Sequence, residues 1–184
     1  TITNVTISGN TADYHGGGMY LNGSDPTITN VTISGNTAGS SGGGIHCGVN
    51  SNPILLNTII AGNESNQIEF DASNSSNTIT ISYSDIQGGQ DSIATNDNGT
   101  VTWGDGNVDI DPLFVDADNG DYHLSDLSPV ISAAASTVTI DGVTYTAPTT
   151  DIEGNPRPNP AGTVPDMGAY ENENGAGEYN GPVW

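Results

Sequence analysis

Tyr20, His46 and Glu69 recur about one repeat apart, and a phenol, an imidazole and a carboxylate on one strand face could hold a sugar or move a proton. A lyase acting on a uronate also needs a cation beside the substrate carboxylate, yet the 184 residues contain one Arg and no Lys. A glycosidase needs two carboxylates about 5 to 9.5 Å apart across the scissile bond. The repeats supply only Asp13, Asp25, Glu64 and Glu69 along their groove. The column therefore reads first as a surface ladder and second as a glycan-binding stripe, and no residue is assigned a catalytic role.

A second group is denser. GDGNVDIDPLFVDADNGD carries Asp105, Asp109, Asp111, Asp116, Asp118 and Asp121, with Asn119 and Gly120 in the last turn. Calcium takes oxygen ligands of this kind on a loop that turns sharply at Gly. The closing Glu of an EF-hand loop is missing, so two readings stand: a calcium-stabilised loop, or a solvated turn whose Asp and Asn side chains cap backbone amides. Arg157, inside NPRPNP, is the sole cation. Its planar fork suits a carboxylate, and the expected partners are Asp166 and Glu171, an arrangement that would pin the terminal segment onto the last coil. His15 and His123 read as surface or packing residues, and three scattered histidines make no zinc site. Trp184, the last residue, could cover an open end of the fold. Sequons stand at Asn4, Asn22, Asn30, Asn63, Asn74 and Asn98.

These groups need a scaffold, and the repeats describe one. TITNVTISGNTA occupies positions 1 to 12 and again 27 to 38, with a looser copy, ILLNTIIAGNES, at 54 to 65. That period is too short for a propeller blade and suits one lap of a parallel β-helix, whose laps stack about 4.8 Å apart. Alignment of the copies gives interior columns: Ile2, Ile28 and Leu55; Val5, Val31 and Thr58; Ile7, Ile33, Ile60 and Ile86; Met19, Ile45 and Ile68; Leu21, Cys47 and Phe70. Period-two alternation then turns Tyr20, His46 and Glu69 outward. Asn4, Asn30 and Asn57 recur at one corner and Asn10, Asn36 and Asn63 at another, where Asn accepts left-handed backbone and its amides can bond along the stack. A 33% hydrophobic content is low for a globule but adequate for a narrow coil. The fold class is all-β: a right-handed parallel β-helix, or solenoid, with an irregular, loop-rich C-terminal capping module.

The GGGMY and TITNVTISGNTA segments resemble the repeats of pectin-lyase-like right-handed β-helix proteins, including the polymorphic outer-membrane type. SYSDIQGG at 82 to 89, GNVDIDPLFVDADNGDYHLSDLSPVI at 106 to 131 and DIEGNPRPNP with VPDMGAYE between 151 and 171 are similar to the module called choice-of-anchor Q. That resemblance implies a bacterial surface location and an architecture, and no reaction. It divides the chain into repeat coils at 1–65, last coils with a closing module at 66–171, and a tail at 172–184.

With 22 acids the formal charge is −21, which repels nucleic acid and anionic lipid because phosphate binding requires Lys and Arg. Neither nucleic acid nor membrane insertion is expected. The chain opens in mid-pattern, so it is expected to be the C-terminal piece of a longer protein, or a subunit that stacks end to end with its own kind. Cys47, in an interior column, can form no intrachain disulfide. The expected role is a non-catalytic extracellular or cell-surface protein, a spacer, adhesin or filament subunit, with calcium as the candidate cofactor and extracellular polysaccharide as a candidate partner. The alternative is the C-terminal part of a polysaccharide lyase or glycosidase, or a glycan-binding module.

Overall fold

The computed structural model describes residues 1–73 and 76–175. Its regular structure is β-strand and two short 3-10 turns, Gln90–Ser92 and Ala117–Asn119, with no α-helix among the described residues. The first lap holds β1 (Ile2–Ser8), β2 (Thr11–Ala12) and β3 (Met19–Leu21). The second holds β4 (Thr27–Ser34), β5 (Thr37–Ala38) and β6 (Ile45–Cys47), and the third β7 (Ile54–Leu56), β8 (Ile59–Ala61) and β9 (Ile68–Phe70). A fourth lap follows with β10 (Asn77–Ser82) and β11 (Asp85–Ile86), and β12 (Gly99–Trp103) begins the next. The result is a β-solenoid of about four turns.

Every pairing between laps is parallel, and the interior columns stand in the register that the repeats predict. Ile7 lies beside Ile33, Ile33 beside Ile60, and Ile60 beside Ile86. Met19, Ile45 and Ile68 align on another face, as do Leu21, Cys47 and Phe70. Alternation drives these side chains inward, where Ile28, Ile33, Ile45, Leu55, Ile60, Ile68, Phe70 and Ile86 lose all contact with water. Burying each such side chain contributes about 1.5 to 3 kcal/mol. Thr58 enters the interior too, and its hydroxyl donates to Leu56 O at 2.9 Å.

The corners turn on local chemistry. Asn4, Asn30 and Asn57 each have φ 53°, the left-handed region that Asn tolerates best after Gly, and the bend splits the third lap's strand into β7 and β8. At the second Asn corner the amides form a ladder. Asn10 Nδ2 donates to Asn36 Oδ1 at 3.0 Å, and Asn36 Nδ2 donates to Asn63 Oδ1 at 2.9 Å. Asn63 Nδ2 then donates to Gln67 Oε1 at 2.7 Å, extending the ladder beyond the three Asn.

After Val108 the chain leaves the coil and forms two hairpins, β13 (Phe114–Asp116) with β14 (Asp121–Leu124) and β15 (Thr137–Ile140) with β16 (Val143–Thr146). This closing module lies along the flank of the solenoid, hydrogen-bonded to laps one to three and, through the hairpin at 137–146, beside the fourth lap and β12 as well, so it is not pinned to the last coil alone. Asn4 Nδ2 donates to Thr150 O, Asn30 Nδ2 to Asp166 O, and Ala169 N–H donates to Thr32 Oγ1. The physical reason is a second apolar core outside the coil: Ile59 and Ala61 meet Leu124, Val130, Ile131, Ala134 and Met167.

Candidate functional site

β3, β6 and β9 bring Tyr20, His46 and Glu69 side by side, because Tyr20 pairs with His46 and His46 with Glu69. The outward stripe is only partly open, however. His46 is 2% exposed, since its ring stacks on Tyr20 at 5.3 Å and on His15 at 4.6 Å. Ser41 Oγ lies 2.8 Å from His15 Nδ1 and 3.3 Å from His46 Nδ1, tying the two imidazoles together. Burial, then the nearby His15, pushes the His46 pKa below its ordinary value, which favours the neutral ring. Both Glu69 oxygens accept amide hydrogens, Oε2 from Asn66 and Oε1 from Asn96. Tyr20 keeps half its surface in solvent beside the more exposed Tyr14. The stripe can stack a ring or a sugar face, while its carboxylate and His46 Nδ1 are held by the scaffold and His46 Nε2 is buried without a partner.

The aspartates do not converge. Among the described residues no three His, Cys, Asp or Glu side chains form a group that could hold a metal ion. Asp109 accepts Gly88 N–H at 2.8 Å, Asp111 accepts Leu113 N–H at 2.9 Å, and Asp121 accepts His123 N–H at 3.1 Å. Asp116 accepts from Asn119 Nδ2 at 2.8 Å. Asp105 and Asp118 sit exposed on separate turns. This is the chemistry of capped turns, and among the described residues these carboxylates are not gathered at one point.

Arg157 lies in the closing module with its Nε 2.8 Å from Glu171 Oε1, both side chains fully buried. The contact is an ion pair without hydrogen-bond alignment; Nη2 donates instead to Gly168 O at 3.2 Å, while Nη1 has no acceptor. Asp166 Oδ1 accepts Ser132 N–H and Oδ2 accepts Asn172 N–H. Asp151 Oδ2 accepts Glu171 N–H. Glu171 alone pairs directly with the guanidinium, while buried Asp151 and Asp166 act on it through space. Burial raises Asp166 to about 6 and Glu171 to about 7. His123 bridges Asp121 at 2.6 Å and Glu153 at 3.2 Å. Burial works against its charge, but those two hydrogen bonds prevail and raise its pKa.

Two residues that the sequence did not single out matter here. Asp85 is fully buried on the flank, beside Ile59 in the ladder; Oδ1 accepts Ile110 N–H at 3.1 Å and Oδ2 has no partner. Desolvation, with Asp109 and Asp111 near, pushes its pKa up to about 7. Tyr83 takes the corner position that Asn holds in earlier laps, with φ 51°. The signal for a covered flank was Ile59 next to Ile60, two adjacent apolar residues that break the alternation. Cys47 is buried in the core and its thiol is raised to about 12, so it is inert. The sequon at Asn74 and the end-covering role of Trp184 fall outside the described residues. No described helix is long and apolar enough to cross a membrane.

Residues 1–111 match the family model described as a right-handed β-helix region. No curated protein and no solved structure matches the chain. The matched segment is the one whose laps stack in parallel register, and on both grounds this chain belongs to the right-handed β-helix family.

Proposed function

We propose that the chain is a non-catalytic extracellular or cell-surface β-helix that acts as a rigid spacer or adhesive rod. The observation that carries this reading is the engagement of its candidate chemistry in structure: His46 is enclosed by two rings, Glu69 is held by two amides, and the one Arg is buried against Glu171. The resemblance of the repeats to pectin-lyase-like and polymorphic outer-membrane coils, and of residues 82–171 to choice-of-anchor Q modules, supports a bacterial surface location. A filament subunit that stacks end to end is a further form of the same role. Calcium is not carried into this reading, because the aspartates do not gather. The test is incubation with acidic and neutral polysaccharides, read by unsaturated product and reducing ends. No turnover is expected; turnover abolished by His46→Ala would replace the proposal with an enzymatic one.

Tyr20 favours a second reading, a glycan-binding module. Its ring lies 6° from parallel with His46 and is 51% exposed, the geometry of a backed aromatic platform. Retention on neutral polysaccharide that disappears in Tyr20→Ala would support it.

A further inference from the structure

The long sheet ends at β12, which pairs with β10 and, among the described residues, with no strand on its other side. Asn98 O accepts from Asn77 N–H, and Gly104 N–H donates to Ile81 O. Alternation therefore points the N–H and C=O groups of Val101 and Trp103 away from β10, into the unpaired edge. Their side chains are only partly buried, packed on the last layer of the core. The closing module reaches this end only from the side: its core lies on the flank at Ile59 and Ala61, and Thr137 to Asp141 of its second hairpin share a cleft with the outward residues Thr80, Ser82 and Thr102. An open parallel edge above an incompletely covered core is a template for one more strand.

Charge selects the occupant. Exposed Asp97 and Asp105 flank β12, and the only Arg is buried elsewhere. A second copy would meet these acids with its own net charge of −21. We propose that the free edge of β12 binds an extended, basic segment of a protein partner as an added parallel strand. That strand places two apolar side chains, two residues apart, over Val101 and Trp103, and Lys or Arg at its ends near Asp97 and Asp105.

The probe is the synthetic peptide KTVTVTK, titrated into the full 184-residue chain and followed by amide NMR shifts, with ETVTVTE as the charge-reversed control. Shifts are expected to centre on Val101 and Trp103, and the control should bind at least tenfold more weakly. Val101→Pro removes an outward N–H at an edge position where Pro is tolerated, and should weaken binding at least tenfold without lowering the melting temperature. If that variant melts early, a peptide N-methylated at its β12-facing amides tests the same bonds from the other side and should lose binding equally. Absence of shifts at β12, equal binding of both peptides, or binding indifferent to both blocks overturns the proposal. Dimerisation through β12 without peptide, or binding only after removal of residues 176–184, overturns it too, by assigning the edge to a second copy or to the chain's own end.

Discussion

Asn57 holds Ala135 with both ends of its amide: Nδ2 donates to Ala135 O at 2.9 Å, and Oδ1 accepts Ala135 N–H at 3.0 Å. The same residue bends the third lap at φ 53° and donates to Asn30 Oδ1 at 3.2 Å. Asn57→Ala loses the bonds and strains the bend, and is expected to cost about 2 to 4 kcal/mol. Asn57→Gly keeps the bend and should cost roughly 1 kcal/mol less. Chemical denaturation of both variants checks the difference, and equal losses would remove the backbone part of the argument.

Arg157→Ala leaves Glu171 and Asp166 buried without their cation. Removing one partner of a buried pair costs about 3 to 5 kcal/mol. The expected result is faster hydrogen exchange across 130–171, with the amides of laps one to three, 2–70, still slow. Uniform loosening of the whole chain would show that module and coil unfold as one unit.

Asp85 sets a pH dependence. Burial pushes its carboxyl from the ordinary 3.8 up to about 7, so the folded state keeps a proton that the unfolded chain releases. Stability therefore falls as pH rises from about 4 through about 7, and Asp166 and Glu171, also raised, add to the same slope. Asp85→Asn removes the charge but leaves an unsatisfied amide, for a net gain of about 1 to 3 kcal/mol at pH 8. Melting curves at pH 4 and pH 8 should show that gain only at pH 8.

Gly168 packs closely against the coil, its N–H donating to Asn57 O at 2.8 Å. A Cβ there would stand 2.8 Å from both Ile59 Cδ1 and Thr32 Oγ1, at φ +84°. Gly168→Ala is expected to cost about 1 to 3 kcal/mol. Paired with Ile59→Ala the two losses should be less than additive, because shortening Ile59 clears the same space. Strict additivity would place the strain in the backbone alone.

Calcium at millimolar concentration should leave the melting temperature where an equal ionic strength of sodium chloride leaves it. A ligand specific to the folded state would raise it, and the capped aspartates at 109, 111, 116 and 121 have no common focus.

The coil was legible because its laps are near copies. Once Ile7 is aligned with Ile33 and Ile60, the interior, the corners and the Asn10 to Asn63 ladder follow from alternation and amide chemistry. The enclosure of His46 was not, because the period sets His15 in register with Ser41 one lap on but does not say that its ring turns onto the imidazole of the neighbouring strand. The flank docking was hidden for a related reason: Thr32 and Asn57 are ordinary outward residues until a segment about 80 to 140 positions away covers them, and Asp85 until Ile110, 25 positions on, meets it. Likewise the Asp stretch declares its charge in the sequence, whereas the amide that each carboxylate caps depends on the turn it sits in.

Three ties, Asn4 to Thr150, Asn30 to Asp166 and Asn57 to Ala135, cross from successive laps to one continuous strap. A bare spring peels open one ring at a time under tension. Here the strap loads neighbouring rings together, so that pulling force is shared in shear, and a rod of this build should yield abruptly at high load instead of uncoiling gradually.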